Sequence, residues 1–114
     1  MGLFSKPETV FERTDLELGL LNLQSPTGTG YDNILTFPFD VKPNRMLYAD
    51  ISADRPVDLV LANKDSSAAF HRENITALRI GPVPTGKNDN MGLILGIFQG
   101  DRAKVTIKIW MDRK

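Results

Sequence analysis

The sequence predicts an all-β fold, a single-domain antiparallel β-sandwich of about seven to eight strands such as a jelly roll. Apolar and polar residues alternate with period two along much of the chain, which is typical of strands with one buried face. The alternating segments are separated by turns rich in Gly, Pro, Asn and Asp. The chain has 114 residues, of which 41% are hydrophobic and 25% charged, so residues 1–114 suffice for one domain with a real core.

The amino-terminal third predicts an arm followed by two strands. Residues 1–12 are expected to form a loosely ordered or packing arm. Residues 14–23 (TDLELGLLNL) predict the first strand, because leucine recurs at alternate positions. Residues 33–41 (NILTFPFDV) predict the second, in which Pro38 lacks a backbone donor and favours an edge position or a bulge.

The central region contains three aspartates at intervals of four residues, Asp50, Asp54 and Asp58. MLYADIS and VDLVLA predict two strands joined by a turn at ADRP (53–56), which places the first and last carboxylates outward and Asp54 in the turn. Calcium takes six to eight oxygen ligands, usually several from one loop. No such spacing is present, so the aspartates are interpreted as solvated surface and no metal site is expected.

The carboxyl-terminal half predicts one helical turn and three strands. Residues 62–74 do not alternate and favour the helical turn, whereas NITALRI favours a strand. Residues 91–98 (MGLILGIF) are apolar on both faces, which indicates a central strand or an interface between copies through the edge bounded by Met91 and Phe98. The last strand, AKVTIKIWMD, alternates most regularly. The predicted core comprises Leu35, Phe37, Phe39, Leu47, Ile51, Leu59, Leu61, Leu78, Ile80, Ile94, Val105, Ile107 and Ile109.

No group of residues predicts catalysis. The chain has no cysteine, which excludes thiolate chemistry and disulfides. Its single histidine, His71, is expected to be a polar loop residue, since neither Ser66 nor Ser67 lies in a nucleophile-elbow motif. A hydrolase that uses His71 is the alternative. No catalytic residue and no cofactor is therefore expected.

Charge and hydropathy limit the partners. Fourteen basic residues balance fourteen acidic ones, so no net field favours nucleic acid or a membrane surface. No stretch approaches the roughly 20 apolar residues of a membrane span. The amino terminus lacks the apolar region of a signal peptide, so a cytoplasmic location is expected, with a trimmed secreted product as the alternative.

The last strand also predicts a binding face. If Val105, Ile107, Ile109 and Met111 point to the core, the alternate side chains share the outer face. Tryptophan is enriched at interfaces and at sugar-stacking sites. The candidate binding residues are therefore Trp110, Lys108, Thr106 and Lys104. The alternative is that the amino-terminal segment folds over this strand and buries the tryptophan.

From FPFDV to the end, the order of features resembles GOLD-like and pre-peptidase carboxyl-terminal sandwiches. An aromatic-alternating strand with Phe37 and Phe39 precedes a strand of small and aliphatic residues and a turn, and Asp58-Leu59-Val60-Leu61 is similar to the D-[LV]-x-L strand of these families. The resemblance implies a non-enzymatic recognition module with a protein or carbohydrate ligand. A structural subunit of a larger assembly is the other alternative.

Overall fold

A computed structural model of the chain describes residues 7–19, 34–97 and 101–112. These residues form six strands and no helix, so none of them could cross a membrane as a helix. The all-β, antiparallel prediction is confirmed, with one curled six-stranded sheet. The strands are β1 (Glu8–Leu18), β2 (Ile34–Asp40), β3 (Met46–Ala62), β4 (Ala68–Pro84), β5 (Asn90–Gly96) and β6 (Ala103–Met111).

The long strand β3 organises the sheet. The order of strands is β1-β6-β3-β5-β2, and β4 pairs with the other edge of β3. The first half of β3 pairs with β6, from Leu47 opposite Met111 to Ala53 opposite Val105. Its second half pairs with β5, from Asp58 opposite Gly96 onward. The two halves of the molecule therefore share one strand.

The predicted turn at residues 53–56 is wrong, because the chain continues through ADRP as strand. The β3–β4 pairing shifts register between Ser52 and Val57, so the turn-forming residues lie at an irregularity within a longer strand. The carboxylate of Asp54 accepts a hydrogen bond from the Lys104 backbone N–H at 2.8 Å, which ties this part of β3 to the start of β6.

The predicted helical turn at residues 62–74 is also wrong. Residues 63–67 make a tight connection in which the Asn63 N–H donates to the Ser67 carbonyl at 2.7 Å and the Ser66 N–H donates to the Asn63 carbonyl at 2.9 Å. β4 begins at Ala68. The alanines and charged residues there are weak strand formers, and pairing with β3 overrides that local preference.

The core lies on the concave side of the curled sheet. Of the predicted core residues, nine are buried, and three others pack partly buried against the core (Leu35, Phe37 and Leu78). Ile94 was assigned to the wrong face, since Leu93 and Leu95 are the buried residues of β5 and Ile94 is only partly buried. The nine buried residues are Phe39, Leu47, Ile51, Leu59, Leu61, Ile80, Val105, Ile107 and Ile109.

Strands β1 and β2 lie at the two ends of the sheet and approach each other through aromatic side chains. Phe11 is buried, and its ring centroid lies 5.2 Å from that of Phe37 and 6.3 Å from that of Phe39. β1 begins at Glu8, so residues 8–12 of the expected arm form part of the sheet. Residues 20–23 of the first predicted strand lie outside the described residues.

Strand β5 is central, as its apolar character predicts. It pairs with β2 on one side and with β3 on the other. Pairing between copies through residues 91–98 would require one of these ladders to open, and Phe98 lies outside the described residues. Pro38, by contrast, lies in the end strand β2, the edge position that a proline favours.

Candidate functional site

The candidate site is the outer face of the half-sheet built from β1, β6, the first half of β3 and the end of β4. We call it the outer face of the first half-sheet. The alternation of β6 is strict: Val105, Ile107 and Ile109 are fully buried. The intervening side chains therefore point to the opposite side of the sheet, as predicted. Those side chains are Lys104, Thr106, Lys108 and Trp110.

An aromatic pair forms one end of this face. Trp110 lies opposite Tyr48 of β3, and their rings stack with centroids 6.1 Å apart and planes inclined by 19°. Both residues are partly buried. Aromatic rings at this separation attract each other beyond the area that they bury. The pair thus forms a fixed apolar platform within the otherwise polar outer face.

Gly81 of β4 makes room for the platform. A Cβ atom at this position would lie 2.6 Å from Cδ1 of Tyr48 and 2.8 Å from the Leu47 carbonyl oxygen. Its φ of 128° is also one that residues with a side chain rarely adopt. Glycine therefore lets the tyrosine ring lie over the backbone of β4.

On the other side of the platform, β1 runs beside β6 rather than across it. Thr9 lies opposite Trp110, whereas Phe11 enters the core. Phe11 therefore does not cover the tryptophan, and the part of the amino-terminal segment before Pro7 lies outside the described residues. A depression of about 390 Å³ lies beside the indole, and its lining comprises Pro7, Thr9, Asp50, Lys108 and Trp110.

A row of alternating charges lies next to the platform. Glu12, Lys108, Asp50 and Arg79 follow one another across β1, β6, β3 and β4. Arg79 donates two hydrogen bonds to the Asp50 carboxylate, from Nε at 2.7 Å and from Nη2 at 2.9 Å. The hydrogen bonds and the negative charge of Asp50 raise the pKa of Arg79 above its ordinary value. The row offers a carboxylate acceptor and an ammonium donor beside the indole.

The remaining predicted site residues continue along β6. The Thr106 hydroxyl accepts a hydrogen bond from the Asp15 N–H at 3.2 Å. Lys104 is exposed and lies opposite Glu17 of β1. Lys104 and Trp110 are six residues apart on one strand face, a span of roughly 20 Å.

The three aspartates of the central region serve separate roles. Asp50 holds Arg79, Asp54 accepts the Lys104 N–H, and Asp58 accepts the Asn74 N–H at 3.0 Å. No three potential ligands come together as a metal-binding group among residues 7–19, 34–97 and 101–112. Each carboxylate caps a backbone or side-chain donor.

His71 lies in strand β4 rather than in a loop, opposite Val60. Its side chain is 53% exposed, and Nε2 lies 3.8 Å from the Glu73 carboxylate. The Ser67 hydroxyl bonds instead with Asp65 and Asn63. The described residues around His71 thus supply no arrangement of nucleophile, base and orienting acid.

Sequence reasoning found the β6 side of this face and missed Tyr48, Asp50 and Arg79 as its neighbours. The outward direction of Tyr48 follows from the inward direction of Leu47 and Ala49. That β6 pairs with β3 is a non-local fact, however, with no signal in either segment. Searches with family models and among curated proteins found no match to this chain.

Proposed function

We propose that this protein is a non-enzymatic binding module that holds a carbohydrate on the outer face of the first half-sheet. The observation that carries the proposal is the stacked Tyr48–Trp110 pair beside a depression with both a carboxylate and an ammonium group. The resemblance to accessory sandwich modules supports the same class. The two-layer sandwich and the cytoplasmic location expected from the sequence stay predictions.

The chemistry of the depression suits a sugar. A pyranose ring has an apolar face of C–H groups, which an indole contacts favourably, and a rim of hydroxyl groups that both donate and accept hydrogen bonds. Lys108 supplies donors and Asp50 supplies acceptors at the edge of Trp110. Asp50 is already oriented by Arg79, so less side-chain freedom is lost when a ligand binds.

A protein ligand is the second candidate for the same face. Tryptophan, tyrosine and arginine are the residues most enriched at interaction hot spots, and Trp110, Tyr48 and Arg79 lie within three adjacent strands. The aromatic pair is only partly exposed, however, and charges surround it. This arrangement favours a small polar ligand with one apolar face.

The test uses the intrinsic fluorescence of Trp110, the only tryptophan in the chain. Neutral hexasaccharides of glucose, mannose and xylose are titrated into the protein, and at least one is expected to shift or quench the indole emission. By calorimetry, Trp110→Ala should abolish binding of that sugar, and Tyr48→Ala should weaken it. Ile94→Ala is the matched control, since Ile94 is a partly buried apolar residue in the other half of the molecule.

Two results would overturn the carbohydrate proposal. One is the absence of any spectral change and heat at millimolar concentrations of all three sugars. The other is equal binding by Trp110→Ala and by the unmodified protein. In the second case the ligand would lie elsewhere on the molecule.

A further inference from the structure

A second cavity lies at the opposite end of β6 from the aromatic platform. It has a volume of about 200 Å³ and is formed where the end of β1, the irregular part of β3 and the start of β6 meet. Its lining comprises Glu17, Leu18, Asp54, Arg55, Arg102, Ala103 and Lys104. Lys104 belongs both to this cavity and to the row of outward side chains that leads to Trp110.

Three basic residues (Arg55, Arg102 and Lys104) and two acidic ones (Glu17 and Asp54) line the cavity, so its described lining has a net positive charge. Lys104 lies opposite Glu17 in the β1–β6 ladder, and the Asp54 carboxylate accepts a hydrogen bond from the Lys104 N–H. No carboxylate of the described chain forms an ion pair with Arg55 or Arg102. Both arginines are exposed residues on different segments, and both line the same cavity.

Two guanidinium groups at one cavity favour an anion with several oxygens. Arginine binds carboxylate, sulfate and phosphate groups through paired N–H donors, and such charge-assisted bonds are stronger than neutral ones. The lining has one more basic than acidic residue, so its net charge also favours an anion. The cavity thus has the chemistry of a receptor for one acidic group.

We propose that Arg55 and Arg102 bind an acidic group of an extended oligosaccharide that runs along β6 and stacks on Trp110 at its other end. This inference rests on the proposed carbohydrate-binding function and adds the ligand's charge and length. The span of roughly 20 Å between Lys104 and Trp110 requires several sugar units. The exposed Thr106 and Lys108 line the path between the two ends.

The test compares a galacturonic acid hexamer with its methyl ester, which has the same length and ring faces but no charge. Calorimetry is expected to show at least tenfold tighter binding of the free acid, a difference that falls as NaCl is raised from 0.05 to 0.5 M. The double variant Arg55→Ala/Arg102→Ala should lose this preference and still bind the ester. Arg55→Lys/Arg102→Lys should restore part of it.

The control removes the same charge elsewhere. Lys64→Ala/Arg72→Ala alters two exposed cations in the other half of the molecule and should leave the preference for the free acid unchanged. A digalacturonate should bind more weakly than the free-acid hexamer, because it is too short to reach both ends of β6.

Different failures have different meanings. If neither hexamer binds but one of the three neutral hexasaccharides does, only this inference fails. If none of the five binds, the proposed carbohydrate-binding function fails with it. If the ester binds as tightly as the acid, or the acid preference survives in Arg55→Ala/Arg102→Ala, only the acidic-group site is overturned. Inorganic sulfate that binds at the arginines while the free-acid hexamer does not would also overturn it, in favour of a site for free anions.

Discussion

At the scale of single residues, the aromatic platform depends on a glycine that is distant in sequence. Tyr48 and Trp110 stack because Gly81 leaves space for the tyrosine ring over β4. Gly81 begins the segment GPVP, whose residue types are typical of a turn. Gly81 leaves room for the tyrosine ring only because β3 pairs with β4, and no local sequence pattern predicts that pairing.

Replacement of Gly81 tests this dependence. Gly81→Ala is expected to lower the free energy of unfolding by about 1–3 kcal/mol, because of the strained φ and the contact with Tyr48. It should also change the emission of Trp110 as the tyrosine shifts. Gly86→Ala is the control, since Gly86 has a φ of 59° and nothing lies within 4 Å of a Cβ placed there.

Denaturant unfolding and fluorescence spectra measure the two effects. Gly86→Ala should cost stability through backbone strain alone and leave the emission unchanged. If both variants lose the same free energy of unfolding and neither changes the Trp110 emission, Tyr48 does not need the space at Gly81.

At the scale of elements, prediction from sequence succeeds where a strand has one apolar and one polar face. In β6 the alternation predicts both the strand and its phase, that is, which of its two faces is buried. The inward direction of Ile107 and the outward direction of Trp110 were therefore predicted correctly. In β5 every residue from 91 to 96 is apolar or glycine, so alternation cannot give the phase. Ile94 was assigned inward for that reason, and Leu93 was overlooked.

A pair of alanine variants in β5 tests the corrected phase. Leu93→Ala should reduce the free energy of unfolding by about 2–5 kcal/mol, because the side chain is fully buried and its removal leaves a cavity. Ile94→Ala should cost less, since its side chain is partly solvated on the outer face. Urea denaturation measures both values, and a larger loss for Ile94→Ala would reverse the assignment.

The two errors in the region of β3 and β4 have a common physical origin. Residues 53–56 and 62–74 contain turn formers and weak strand formers, and local propensity favours chain reversal or helix there. Residues 68–74 are held as strand by pairing with β3, and residues 53–56 continue the strand because β3 is paired on both sides of them, through Ala53 with β6 and from Val57 onward with β4 and β5. The length of a strand that pairs with different neighbours along its two halves follows from the topology of the sheet and not from the local sequence.

At the scale of the whole molecule, the sharing of β3 couples the two halves. One cluster of buried side chains includes Ile107 and Ile109 from one half and Leu93 and Leu95 from the other. Neither half-sheet can retain its pairing if β3 unfolds. Such an arrangement favours unfolding in a single cooperative transition.

Two spectroscopic probes test this cooperativity. Trp110 reports on the β6 half alone, whereas far-ultraviolet circular dichroism reports on all strands. The two signals are expected to follow the same curve against urea, with one midpoint and one slope. A tryptophan transition that precedes or follows the loss of strand signal would show that the halves unfold separately.

The length of β3, 17 residues, also affects the hydrodynamic behaviour of the protein. A strand of that length spans roughly 55 Å, and the described residues have extents of 51 × 27 × 22 Å. Their radius of gyration is 15.0 Å, compared with about 13 Å for a compact domain of this size. Friction on such an elongated particle exceeds that on a sphere of equal mass. A single copy should therefore elute early from a gel-filtration column calibrated with round proteins, at a volume that imitates a larger species.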